Sequence, residues 1–498
     1  MTKHVSSGGE ATSSSRDAAT ESLPIRDAAD AANVTAQRLP QGAAGDPAAP
    51  TSGGLIGRVR RRVSALLESS PLLGHVLTLI TGTAVAQVVS FGMSIVLARI
   101  YTPRDLGLMA IYTSVAGILV AVAALRYDMT IMLPKKEPEA LSVARLGLVC
   151  IAVVSLLATV AAFPLHGLVT RWWGHEVALW MPLVGLTTFL MSGVELFKFW
   201  FNRSSNYRAI AINQAEQQIG VNVGQVSLGL AGMGGMAGLM LGFTAGQVFA
   251  FGNLGRQAKE LWRPLPQEAP SLRWVARRYR RMPLLNGPNA LADALRLNGI
   301  QLLIASYSVS ALGQFQTAWR YLDAPLILIN GAVAKVFFQK LSTIEPGQMR
   351  PLVRVTIKRA VLIGIVPFAL IYVLSPWLFP FLLGARWADS GSFARALTPW
   401  LFMLLITSPI SNLFVVTEHQ DWMLGFALLY TAAPLAWLHW SPLEVMPTCY
   451  VLGLMMAGLL VLNALLADYA AKQFDAHGSA RTGRRHGHDS HEADVSEA

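Results

Sequence analysis

Long apolar runs recur along the chain from about residue 75 to residue 467, each close to the roughly 20 residues a helix needs to cross the hydrocarbon core of a bilayer. They predict spanning helices over 75–98, 106–126, 141–163, 177–197, 209–229, 234–254, 283–306, 312–335, 357–378, 396–416, 422–440 and 444–467. The chain therefore reads as an all-α polytopic membrane protein with about twelve transmembrane helices. The first 55 or so residues are rich in Ala, Ser, Thr, Asp and Gly and have no hydrophobic h-region, so 1–60 reads as a disordered tail. Residues 470–498 read in the same way.

Polar residues interrupt this pattern at helical spacing. In the seventh span Asn286, Asn289, Asp293 and Arg296 stand at i, i+3, i+7 and i+10, on one face. In the eighth, Gln316, Arg320, Asp323 and Asn330 stand at i, i+4, i+7 and i+14. The first span carries Thr83, Gln87, Ser90 and Ser94 on one face, and the fifth carries Asn213, Glu216 and Gln217 followed by Gly220 and Gly224. Four helices thus offer polar faces to a common interior. A charge at the bilayer centre costs about 2.5–3.5 kcal/mol on insertion scales, so such residues usually face a water-filled pathway or a binding site. Asp293 with Arg296, and Arg320 with Asp323, are also spaced to form intrahelical ion pairs that only tie helices together. Both readings stay open at this point.

An offset of 206 residues aligns the first span and its loop with the seventh: Leu79 with Leu285, Ala84 with Ala290, Tyr101 with Tyr307, Leu106 with Leu312 and Gly107 with Gly313. An even number of spans per half keeps both halves in one orientation, giving repeats about an axis along the membrane normal, with a substrate site between them. The expected organisation is two six-helix lobes, 75–254 and 283–467, around a central cavity and joined by a basic linker, 255–282.

Composition agrees with a membrane setting: 53% of residues are hydrophobic and 14% charged. The net charge of +11 is spread over many loops, with no nucleic-acid recognition fold to accompany it. Lys and Arg near span ends favour the cytoplasmic side. With both termini cytoplasmic, that side collects Arg58 to Arg62, Lys135, Lys136, Lys198, Arg203 and Arg208, then eight cations of the linker, and Lys340 to Arg359 beyond the eighth span. The opposite side receives Arg99, Arg104, Arg171, Arg386 and Arg395. Trp172, Trp173, Trp377, Trp387, Trp437 and Trp440 fall near that side, as an aromatic belt would. Cys150 and Cys449 both lie inside spans and imply no disulfide framework. Four histidines of the C-terminal tail could bind a metal weakly, although a solvated tail is the simpler account. No metal site or cofactor is otherwise implied.

The chain has no Gly-x-x-x-x-Gly-Lys loop, so it does not drive transport with its own nucleotide hydrolysis. It lacks His-Glu-x-x-His and Gly-x-Ser-x-Gly, and apart from the tails its largest soluble segment is the linker, which leaves no room for a catalytic domain.

The run Gly82-Thr-Ala-Val-Ala-Gln87 followed by Leu97-Ala-Arg-Ile-Tyr-Thr-Pro-Arg-Asp-Leu-Gly107 resembles the opening of the polysaccharide-biosynthesis flippases. These are the Wzx-type oligosaccharide exporters of the multidrug/oligosaccharidyl-lipid/polysaccharide exporter superfamily. Leu125-Arg-Tyr-Asp128, Arg278-Tyr-Arg-Arg-Met-Pro283 and Leu312-Gly-Gln-Phe-Gln with Ala318-Trp-Arg320 extend the likeness over roughly 75–345. The resemblance implies a two-lobed transporter that turns a polyprenyl-pyrophosphate-linked oligosaccharide from the cytoplasmic to the periplasmic face of a bacterial inner membrane. It also implies neighbours in the polysaccharide polymerase and chain-length machinery.

On that reading Arg296 and Arg320, with Asn289, Gln316 and Gln87, contact substrate, since Arg suits bidentate contact with phosphate oxygens. Asp293, Asp323 and Glu216 are the ion-coupling candidates, Arg99 an external gate and Pro325 a hinge. A multidrug and cation exchanger of the same superfamily is the main alternative, and it would favour an acidic cavity. A membrane-embedded polymerase or ligase would need a long periplasmic loop with catalytic residues, which the pattern does not provide.

Overall fold

The computed structural model describes residues 91–323, 326, 344, 347–410, 413–417 and 420–495, and among them there is no strand. The helices are α1 (Phe91–Ile100), α2 (Pro103–Ala123), α3 (Glu137–Trp173), α4 (His175–Arg203), α5 (Tyr207–Leu230) and α6 (Gly235–Gln257). After a linker come α7 (Arg281–Tyr307), α8 (309–323), α9 (Met349–Leu383), α10 (Ala388–Thr407), α11 (Gln420–Trp440) and α12 (Val445–Val495). Each predicted span overlaps one of them. Seven of the described helices are long and apolar enough to cross a membrane by length and composition. The polar stripes of α5 and α7, and the polar first half of α10, hold these three below that measure; the first and eighth spans lie partly outside the described residues, and Gln87, Pro325 and Asn330 wholly so.

Some helices differ from the spans the pattern predicts. α3 and α9 run to 37 and 35 residues, well past the apolar core. α3 begins on Glu137 and Glu139, acidic groups favourable at a helix N-terminus. α10 ends at Thr407 rather than 416: Ser408 still bonds to the Leu404 carbonyl, but Pro409 has no N–H with which to continue the ladder. α12 passes 467 and runs on to Val495 through most of the segment expected to be disordered; its spanning part is Val445–Ala476.

The turns at the two ends of the repeat are built alike. Thr102 caps α2, its hydroxyl accepting from the Asp105 N–H at 3.2 Å while Asp105 accepts from the Thr102 N–H at 2.9 Å, a reciprocal capping box with Pro103 behind it. At the equivalent position 206 residues on, the Ser308 hydroxyl accepts from the Ala311 N–H at 3.3 Å ahead of α8. Tyr101 donates to the Gln225 carbonyl of α5, and Tyr307 to the Leu438 carbonyl of α11, both at 2.8 Å.

The two halves also meet symmetrically. A methyl group on Gly107 would collide with the Val309 carbonyl, and one on Gly313 with the Pro103 carbonyl; these two contacts are related by the same offset of 206. Ser94 of α1 donates to the Tyr321 hydroxyl of α8 at 2.7 Å, and Ser114 of α2 to Gln301 of α7 at 3.0 Å. One large core, holding Leu97, Tyr112, Ile304, Phe315, Leu397 and Leu452 among others, joins both halves near Arg99. Further along the helices the cores separate. Ala123, Phe197, Leu254 and Val275 belong to a core of the first half alone, and Met349, Leu413 and Ala467 to a core of the second. Among the described residues the halves thus share one core near Arg99 and hold separate cores beyond it.

Candidate functional site

Gln214, Gln218, Val221 and Gln225 stand at i, i+4, i+7 and i+11 on α5 and form one wall of a cavity of about 450 Å³. That volume lies within the range usual for ligand pockets. α6 closes the wall because small residues let backbones approach: a Cβ on Gly242 would collide with the backbone at Gln225, and one on Gly246 with that of Val221. This contact brings the Gln217 amide within 2.7 Å of Gln247, to which it donates. Gln225 also donates to the Leu239 carbonyl at 3.1 Å.

α8 contributes Gln316, Thr317 and Arg320 from the other half. Arg320 is exposed to the cavity, which is itself open to one side, and it makes no ion pair with Asp323. The buried Gln316 carbonyl oxygen has no hydrogen-bond partner. α4 adds Glu195 and Lys198, joined at 2.7 Å. These two neutralise each other, so among the described lining residues Arg320 supplies the uncompensated charge. The lining is otherwise amide, hydroxyl and apolar: a surface able to exchange hydrogen bonds with hydroxyl-rich ligands and to attract an anion.

Polysaccharide biosynthesis proteins, as a family, match residues 96–392, well over half of the chain. The chain belongs to that family. No curated protein matches it in sequence. Among solved structures it is similar to an inward-facing multidrug resistance MATE family transporter of the MOP superfamily, with TM-score 0.61 and 14% identity, over 78% of this chain and 95% of that one. It is also similar to lipid II flippase MurJ in an inward closed conformation, with TM-score 0.60 and 13% identity, over 81% and 91%. An outward-facing MATE transporter aligns at TM-score 0.52 and 13% identity, over 81% and 96%. At such identities the likeness is one of fold. This polysaccharide biosynthesis protein is a multi-pass, all-helical membrane protein with the two-lobed fold of those transporters.

The predicted site residues of this family member divide into distinct sets. Gln316 and Arg320 line the cavity. Arg296 instead pairs with Asp293 at 3.3 Å and lies 4.7 Å from the Tyr430 ring centre, a cation–π contact. Tyr430 in turn accepts from the Trp400 indole at 2.8 Å, so Arg296 is built into packing among α7, α10 and α11. Asp293 and Asn289 are exposed on α7 and absent from the cavity lining, as is Asp323. Glu216 accepts from the Asn253 amide and joins α5 to α6 outside the cavity. Arg99 donates to the Leu382 carbonyl of α9 at 3.0 Å, near the shared core. Beside it Trp387, expected in an aromatic belt, is fully buried and donates to the Ala98 carbonyl at 2.8 Å. It wedges the halves together. Trp172, Trp377 and Trp440 are exposed.

Sequence reasoning missed most of the amide wall. Only Gln217 was singled out, although Gln214, Gln218 and Gln225 carry a helical spacing that was there to be read. Glu195 and Lys198, spaced i,i+3 near the end of the fourth span, also face the cavity.

Proposed function

We propose that this protein is a flippase that moves polyprenyl-pyrophosphate-linked oligosaccharide repeat units across the bacterial inner membrane, from the cytoplasmic to the periplasmic face, for surface polysaccharide synthesis. The observation that carries the reading is the cavity: glutamine amides from α5, α6 and α8 with Arg320 as the uncompensated charge among the described lining residues. Amides exchange hydrogen bonds with sugar hydroxyls, and a guanidinium matches phosphate oxygens in a bidentate fork. The polyprenyl chain stays in the bilayer. Alternating access between lobes 75–254 and 283–467, with both termini and the linker cytoplasmic, moves the headgroup. The end near Arg99, with the shared core, is then the periplasmic end of an inward-facing state. The better fit to the inward-facing than to the outward-facing transporter supports that direction.

The MATE-type neighbours favour a second reading, a multidrug exchanger. A cationic drug would meet Arg320 with no unpaired carboxylate among the described lining residues to attract it, so the glycan reading fits better.

The test is a deletion strain examined for lipid-linked repeat units. Accumulation on the cytoplasmic face, relieved by the wild-type gene, supports flipping; accumulation of unpolymerised units in the periplasm, or none at all, overturns it. Complementation with Arg320→Ala at normal protein level should lower polymer output about 10- to 100-fold, the loss expected for one charge-assisted contact. Arg320→Lys should retain most of it. Full output from the Ala variant removes Arg320 from the site.

A further inference from the structure

The segment 255–282 lines no wall of the cavity, yet it is not a loose tether. Leu261 and Val275 are buried in the core of the first half. The Trp262 indole donates to the Gly255 carbonyl at 2.8 Å. Glu139, at the start of α3, accepts from the Tyr279 hydroxyl at 3.0 Å and pairs with Arg278 at 3.3 Å. These contacts fasten the segment to the first half and fix the face it turns outward.

That face is cationic and aromatic. Arg256, Lys259, Arg263, Arg273 and Arg277 are exposed, and none has an ion-pair partner among the described residues. Only Glu260 and Glu268 oppose them within the segment. Trp262 and Trp274 are 55% and 45% exposed, and the Arg278 guanidinium lies 5.2 Å from the Trp274 ring centre, bracing it. Just beyond, the start of α7 exposes Leu284 and Leu285 at 67% and 70%. Fixed cations, two fixed indoles and an adjoining apolar edge are what a bilayer surface requires: cations for headgroup phosphates, indoles for the headgroup level and leucines for the acyl region. A soluble polyanion would account for the cations and leave the indoles and leucines unexplained.

We propose that the outward face of 255–282 is a docking site for anionic phospholipid headgroups. Because the contacts that fasten the segment fall on the first half, bound lipid holds that half against the bilayer surface. The proposal does not depend on what the cavity carries.

The full chain, purified in uncharged detergent, is followed by thermal unfolding with phosphatidylglycerol or phosphatidylcholine added. Phosphatidylglycerol should raise the Tm by about 2–4 °C over phosphatidylcholine, as binding to the folded state does. A variant carrying Lys259→Gln, Arg263→Gln, Arg273→Gln and Arg277→Gln should lose most of that difference while unfolding normally in phosphatidylcholine. If this variant does not yield folded protein, the single changes Arg273→Gln and Arg277→Gln carry the test, each with a partial loss. Equal shifts with the two lipids, an undiminished shift in the variants, or the same shift from inorganic pyrophosphate without lipid would each overturn the proposal.

Discussion

Asp128 follows a turn in which Leu125 and Arg126 both adopt left-handed backbone, φ 46° and 61°, unusual for residues with a Cβ. Its Oδ1 is buried without a partner. It lies between α2 and α3, outside the spanning helices. Burial pushes its carboxyl up from the ordinary value, against the Met129 backbone N–H and the Arg126 charge, and the nearby Glu195 raises it further. A carboxyl so raised binds its proton more tightly in the folded than in the unfolded chain. Stability therefore improves as pH falls through the raised value, and the ionised form is a penalty above it. Asp128→Asn, which mimics the protonated state, should raise the Tm at neutral pH and flatten the gain that the wild type shows on mild acidification. Parallel pH profiles for the two proteins would remove Asp128 as the cause. The same scale separates the two arginines: identical i,i+3 spacing gives an ion pair for Asp293 with Arg296 and none for Arg320 with Asp323. Spacing makes a pair available, and surroundings choose. Arg296 has the Tyr430 ring to lie on, and Arg320 has the cavity.

The elements were legible where apolar length defines them and less so where glycine does. The seam between α5 and α6 depends on Gly242 and Gly246, where any side chain meets the backbone of the opposing helix. Gly242→Val should push the helices apart and break the hydrogen bond between Gln217 and Gln247, with a cost of about 1–3 kcal/mol for overpacking. Unfolding of the purified protein measures this, and a Tm within a degree of wild type would argue against the tight seam. Glycines in this stretch were visible in the sequence, but their partners were not, since the α5 face that meets α6 is set by packing rather than by the spacing within α5. The repeat was different. Tyr101 with Tyr307 and Gly107 with Gly313 pointed to equivalent turns, and the structure gives each tyrosine a carbonyl on the fifth helix of its own half and each glycine a carbonyl of the other half.

At the scale of the molecule, the described residues form one core shared by the halves near Arg99 and two separate cores elsewhere. If the protein alternates, the buried seam must open during turnover. In a Cys150→Ser, Cys449→Ser background, Ala98→Cys, buried beneath Trp387, should resist thiol reagents at rest and react during transport of lipid-linked glycan. Gln218→Cys, in the cavity wall, should change in the opposite sense. Reactivity that stays constant at both positions through turnover would contradict a rocking cycle. The sequence by itself determined the helical class, the position of nearly every apolar helix, the internal repeat and the polar stripes of four spans, because hydropathy and helical period act over neighbouring residues. Which stripes meet was decided only by the tertiary structure: the amides of α5 and α6 face Arg320, while Asp293 and Glu216 turn elsewhere. Helical spacing sets which residues share a face, but where that face points depends on packing between helices a hundred or more residues apart.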